Sequence, residues 1–281
     1  MKSMPIPAVG KLITESWASA ELGLRKKLSE QYPDSDEEPV TFLFRGELDL
    51  NLRKLANSGA VEKAFLSDLK QAFPTIASES LRGITHGLVA SVSFHPKRVE
   101  GETGGDLGIV IVRPDVQRGS LSNLYLTIEH DYRNGLLCQA KMFRHNSRWG
   151  SLTSKQRKTL AAKLSYLALL LYRYADQNVE RRFLQPFEWQ LARGATIGDV
   201  KAWLAEDQFP ELLNSRQVLK ALIDEKIGTD DKMLIDKYIA PPLRRSLTIT
   251  IRWKDGQDPG NTVRVQEHSS LRSQQQVVVR R

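Results

Sequence analysis

The sequence predicts an α/β protein, a mixed β-sheet flanked by helices with a helical N-terminal and an α+β C-terminal extension. Three observations carry this expectation. Apolar residues recur at helical spacing through the first third of the chain, alternate as in strands between residues 89 and 143, and return to helical spacing after Gly150.

In chain order, Leu12, Ile13, Trp17, Leu22, Leu24 and Leu28 give residues 9–32 a helical pattern, closed by the acidic loop Pro33–Pro39. A second helix is expected over Ala60–Phe73, ending at Pro74, and a third over Thr75–Leu88, carrying Glu79, Arg82 and His86. Val89–Phe94 alternates like a half-buried strand, Gly101–Asp106 is a turn, and Leu107–Val112 is a β-branched run ended by Arg113-Pro114. Further strands are expected at Leu124–Glu129 and Leu136–Phe143, separated by a turn at Tyr132–Gly135. Thr153-Ser-Lys-Gln156 has the form of a capping box and opens a long helix to about Asp176, with Leu160, Leu164, Leu167 and Leu171 as its core stripe. Short helices at about 197–206, 216–226 and 230–239 follow, then strands Ser246–Trp253 and Thr262–Gln266. The segments divide as 1–74, 75–180 and 181–281.

With 41% hydrophobic and 26% charged residues the chain is too apolar to be wholly disordered. Its longest apolar run, Leu164–Tyr172, falls far short of the roughly 20 residues a membrane span needs. The first residues lack the apolar core of a secretory signal, and Cys138, the single cysteine, excludes an intrachain disulfide and a multi-thiolate zinc site. A cytoplasmic protein without a membrane partner is the expectation. Net charge is +8, and the segment Lys141–Lys163 alone holds seven basic residues and no acidic one. Such a field concentrates polyanions, nucleic acid above all, or else forms a solvated face neutralised from elsewhere in the fold.

The chemistry-bearing residues lie on the expected strands. Gln139 and Lys141 are two apart and share one strand face, while Cys138, Ala140 and Met142 share the apolar other. Asp106 stands where a Gly-Gly turn feeds a buried strand, and if the strands are neighbours the three polar residues converge. A helix bearing a carboxylate, a strand, Gly104-Gly105-Asp106 into a β-branched strand and then Gln139-Ala140-Lys141 resembles the PD-(D/E)xK nuclease superfamily. It is most similar to the branch, including Mrr-type restriction endonucleases, that carries Gln-x-Lys. The resemblance covers about residues 75–175; Gly105 replaces the motif's proline, and the interval from Asp106 to Gln139 is long.

The resemblance implies a restriction-endonuclease-like core and a magnesium-dependent endonuclease, with manganese as the alternative ion. It further implies action on DNA rather than RNA, in prokaryotic restriction or antiviral defence. On that reading Asp106, Gln139 and Glu79 hold the metal and, with Lys141, form the catalytic set; Glu102 is the other candidate for the extra carboxylate. Magnesium orients water and stabilises charge at the phosphate through hard oxygen ligands. Lys141 stabilises the transition state electrostatically, since acting as a base would need a strongly lowered pKa. Arg144, Arg148, Lys155, Arg157 and Lys158 are the nucleic-acid contacts, helped by a helix N-terminus. His86 is a solvated or hydrogen-bonded side chain or a phosphate contact, and Trp149 packs under its loop or stacks on a base. Cys138 faces the core, and His145-Asn146 has no zinc partners at suitable spacing. The rival is a weak or inactive nuclease scaffold that binds nucleic acid or assembles with other subunits; a homo-oligomer or an activating partner is compatible with either.

Overall fold

The computed structural model describes residues 5–31, 36–72, 74, 86–118, 126–144, 148–175, 183–241, 247–254 and 264–267. Three helices come first: α1 (Pro7–Gln31), α2 (Glu37–Asn57) and α3 (Ala60–Ala72). Then follow β1 (His86–Phe94), α4 (Lys97–Thr103), β2 (Leu107–Arg118), β3 (Leu126–Arg144), β4 (Arg148–Trp149) and α5 (Ser154–Leu160). A 3₁₀ turn, Ala161–Tyr166, leads into β5 (Leu167–Tyr172), followed by β6 (Tyr174–Ala175), β7 (Phe183–Leu184) and β8 (Glu188–Leu191). The C-terminal part holds α6 (Ile197–Glu206), β9 (Leu213–Asn214), α7 (Ser215–Ile223), α8 (Lys232–Leu234) running into a π turn at Ile235–Ile239, β10 (Leu247–Lys254) and β11 (Arg264–Glu267).

The sheet is open and mixed, in the order β11-β10-β1-β2-β3-β5-β8-β9, with β4 paired to β3. β1, β2 and β3 are antiparallel neighbours, β5 runs parallel to β3, and β8 returns antiparallel. Alternation gives the sheet two buried faces. On the first, Leu107, Ile109, Cys138, Ala140, Leu170 and Tyr172 meet Leu24, Phe44 and Leu69 of the N-terminal helices and Val218 and Leu222 of α7. On the second, Val110, Val112, Leu137, Leu169 and Leu171 meet Leu160, Val200, Leu204, Ile235 and Ile239. Each fully buried Val, Leu, Ile or Phe among them contributes about 1.5–3 kcal/mol before entropy is counted. Both terminal thirds therefore complete one sheet and its covering layers.

Several expectations are corrected. Leu167–Tyr172 is a central strand, so the helix opened by the Thr153 capping box is short. A run buried on both faces of a sheet reads alike in either period. The expected turn at Tyr132–Gly135 lies inside β3, where Gly135 pairs with Val110. Its turn-forming residues serve close packing instead: the Asn134 amide donates to Leu222 O and Ile227 O, both at 2.8 Å, and a Cβ on Gly135 would sit 2.9 Å from Ile239. β2 continues through Pro114 to Arg118, with a register shift after Asp115. Gly101–Thr103 close α4, which leaves a tighter turn than expected. The acidic loop is shorter too, because Glu37 opens α2 with Pro39 in its first turn. Of the helix expected over Thr75–Leu88, residues 75–85 lie outside the described residues, and His86–Leu88 belong to β1.

Glu21 shows how α1 is fixed to the C-terminal helices. Its carboxylate accepts from Trp17 Nε1 at 2.9 Å and from Ser215 Oγ, which in turn accepts from Trp189 Nε1 at 2.8 Å. Burial lifts its pKa from 4.5 to about 7, against the lowering effect of the Ser215 and Trp17 hydrogen bonds. A raised acid favours its neutral form in the folded chain. The contribution is complete below pH 4.5 and is lost as the pH climbs to about 7, because the unfolded chain ionises first. Thermal melts across this window are expected to fall more steeply for the wild type than for Glu21→Gln; parallel curves would refute the assignment.

Candidate active site

Asp106 follows a turn that only glycine fits. Gly104 has φ +80°, and a Cβ there would lie 2.7 Å from Leu160, while one on Gly105 would lie 2.5 Å from Leu137 and 2.9 Å from Cys138 O. The turn thus lies against α5 and β3, and Asp106 N donates to Cys138 O at 2.8 Å. Its side chain, on the same sheet face as Val110 and Leu137, accepts from Ala140 N at 2.6 Å and from Gln139 Nε2. Gln139 and Lys141 share that face by strand alternation. The structure therefore brings together the three residues the sequence singled out.

A fourth group comes from the other side of the sheet. Glu37, at the start of α2, accepts from Met142 N at 3.1 Å through one carboxylate oxygen, and its other oxygen is 3.7 Å from Lys141 Nζ. Thr41, one turn on, ties this end of α2 down by donating to Glu37 O at 2.9 Å and by its hydroxyl contact with Tyr172 at 3.2 Å. Glu79 lies outside the described residues. Glu102 has an exposed side chain, and it is Glu100, held at 2.9 Å by Gln156 Nε2, whose charge reaches Asp106. One usable signal for Glu37 was the acidic pair followed by Pro39 before an apolar run, which is a helix start.

The electrostatics follow from this crowding. Burial, then the like charges of Glu37 and Glu100, push the Asp106 carboxyl well above the usual range, against Lys141 and the Ala140 N–H. Lys141 itself is buried, only 5% exposed, so its ammonium is committed to this cluster. Gln139 is wholly buried; its Nε2 also donates to Ala140 O at 3.1 Å, while its Oε1 is buried with no partner among the described residues. The turn is braced from behind. Buried His95 contacts Gly105 O at 2.9 Å and Ile239 O at 3.0 Å, and Lys163 Nζ donates to Thr103 O at 2.6 Å and Glu102 O at 3.2 Å. Burial lowers the Lys163 pKa to about 8, and its ammonium lies 4.1 Å from the Tyr238 ring centre. Neither brace was expected from sequence; a buried lysine inside a basic segment looks like any other.

The basic segment divides accordingly. Arg148, Lys155 and Lys158 are exposed, Arg157 is partly so, and the Arg144 side chain lies outside the described residues, as does that of His86. Lys155 approaches Gly101 on α4, beside Glu100, so α5 flanks the cluster. Thr153 and Gln156 form a capping box at the start of α5. Trp149 packs, donating to Asp207 at 2.7 Å between the rings of Phe143 and Phe209. Cys138 is buried, its thiol pushed well up by burial and by Asp106, and His145-Asn146 lie outside the described residues.

Among the described residues, no three His, Cys, Asp or Glu side chains lie close enough together to hold a metal ion. The oxygen donors here are of mixed kind: the Asp106 carboxylate, the Ala140 carbonyl beside it, the Gln139 amide, and Glu37 across from Lys141. No helix among the described residues is long and apolar enough to cross a membrane. No protein-family model matches the chain, and a search of curated proteins finds no match.

Proposed function

We propose that this chain is a magnesium-dependent endonuclease that hydrolyses phosphodiester bonds of DNA, with a restriction-endonuclease-like core and a role in defence against foreign DNA. The observation that carries the reading is the meeting of Asp106, Gln139 and Lys141 on one sheet face, flanked by α5, whose exposed Lys155 approaches Gly101. The strand order supports it, since the Gly-Gly-Asp strand and the Gln-x-Lys strand are antiparallel neighbours and the strand after the basic helix runs parallel to the latter.

The donor set fits magnesium, which takes one or two carboxylates and keeps water and phosphate as its other ligands. Asp106 and the Ala140 carbonyl would hold it, with the Gln139 oxygen turned inward and Glu37 supplying a further charge. The unpartnered Gln139 oxygen and the mutual repulsion of Asp106, Glu37 and Glu100 are the features a cation would relieve. When bound, the ion supplies a hard Lewis acid and a template for water and phosphate. Lys141 stabilises the charge that grows on the phosphate oxygens in a site mostly closed to water. Glu37 orients Lys141 and offsets its charge while the substrate is absent. Lys155, Arg157, Lys158 and Arg148 hold the flanking phosphates without reading bases.

A second reading has an observation of its own. Gln139 where a carboxylate would strengthen metal binding, with no cluster of three acidic or metal-binding side chains among the described residues, suits a scaffold that binds nucleic acid without cutting it. Incubating the protein with plasmid DNA, in EDTA and then with a panel of divalent ions, separates the two. Cutting with magnesium or manganese supports the nuclease, whereas a gel shift in EDTA with no cutting under any ion supports the binder. Under the first reading Glu37→Gln is expected to slow cleavage about 10- to 100-fold, the usual cost of losing a group that orients a site residue. An unchanged rate would remove Glu37 from the site.

A further inference from the structure

We infer that the Gln139 amide is a built-in stand-in for the cation, and that it must turn over before a metal ion can bind. The inference rests on the metal-binding part of the proposed function and adds to it how the ion is admitted. Gln139 Nε2 donates to two oxygens at once, the Asp106 carboxylate and Ala140 O. These are two of the oxygens that would surround the ion. Ala140 O can only accept, as does Asp106 when ionised, so the amide faces the pair with its nitrogen. The partial positive charge of the NH₂ group thus occupies the position of an ion, and the amide oxygen points away, buried and without a partner among the described residues.

A cation between Asp106 and Ala140 O reverses the requirement. The face turned toward it must then be oxygen, which rotation about the final side-chain torsion of Gln139 supplies, a torsion with two broad wells. Until that happens the protein is in a form that excludes the ion, and its apparent affinity is reduced by the fraction already turned. A substrate phosphate, arriving with the ion, contributes negative charge and an oxygen ligand, so metal and DNA bind together more strongly than the metal alone. A glutamate at this position would have no nitrogen to offer Asp106 and would have no such closed form.

Titration with manganese alone, followed by electron paramagnetic resonance of the free ion, tests this on the full chain without DNA. Wild type is expected to bind weakly, Gln139→Glu at least about tenfold more tightly, and Asp106→Asn not measurably. Equal affinity in wild type and Gln139→Glu, both dependent on Asp106, would overturn the inference. Undiminished binding by Asp106→Asn would overturn the metal-site reading together with it. The expected affinities without any cleavage of DNA would overturn the nuclease reading and leave the inference intact. Should Gln139→Glu fail to fold, the wild-type side-chain amide resonances of Gln139 decide. They are expected to be protected from exchange without metal and to shift when magnesium and a phosphorothioate duplex are added together; no shift at saturation overturns the inference.

Discussion

Lys141→Ala is expected to lower plasmid cleavage by at least about 10²–10³-fold, the range for removing a preorganised charge-stabilising donor, while the protein stays folded. The Lys141 ammonium sits in a nearly water-free position, its partner Glu37 a few ångströms away and Asp106 close enough to feel its charge. Under the proposed function, losing it removes stabilisation that develops only as charge builds on the phosphate, so turnover should fall while DNA affinity changes little. The stem of Lys141 packs near Gly150, and its loss removes one partner of Glu37, which still accepts from the Met142 N–H, a cost of about 0.5–3 kcal/mol. Lys141→Met keeps the stem and is expected to be as inactive with a smaller loss of stability. Initial rates on supercoiled plasmid, with melting curves of both variants, check this; retained activity in either would remove Lys141 from the mechanism.

Asp106→Asn is expected to abolish cleavage with no loss of stability. The Asp106 carboxylate is costly to keep ionised, since burial and the charges of Glu37 and Glu100 oppose it. An asparagine keeps an acceptor for Ala140 N and Gln139 Nε2 and discards the repulsion, so the melting temperature should hold or rise. Sites for charged ligands commonly trade stability in this way. Magnesium should raise the melting temperature of the wild type more than that of the variant. A variant that melts well below the wild type, or that still cuts, would mean Asp106 has a structural role instead.

Much of the candidate site was legible because its residues are local to two strands. The Gly-Gly-Asp turn and the Gln-x-Lys alternation are statements about spacing, and spacing survives without knowledge of the fold. The helices over 197–206 and 216–226 and the strand at Ser246–Trp253 were legible for the same reason, with ends moved by up to three residues. What escaped depends on tertiary partners. Leu167–Tyr172 is a strand because β3 and β8 flank it and helices cover both faces. Asn134-Gly135 stays extended because the C-terminal helices need a small residue and an amide there. Glu37 lies far from Lys141 in sequence and reaches it only because α2 packs on the opposite face of the sheet. Lys163 belongs to the basic segment on paper, yet in the fold it holds the backbone behind Asp106.

The most direct measurement is the fate of supercoiled plasmid held with the wild-type protein in EDTA and then supplied with excess magnesium. Intact plasmid before the addition, and nicked or linear DNA after it, is the predicted result. DNA cut in EDTA, or left intact with magnesium and with manganese, would contradict the account.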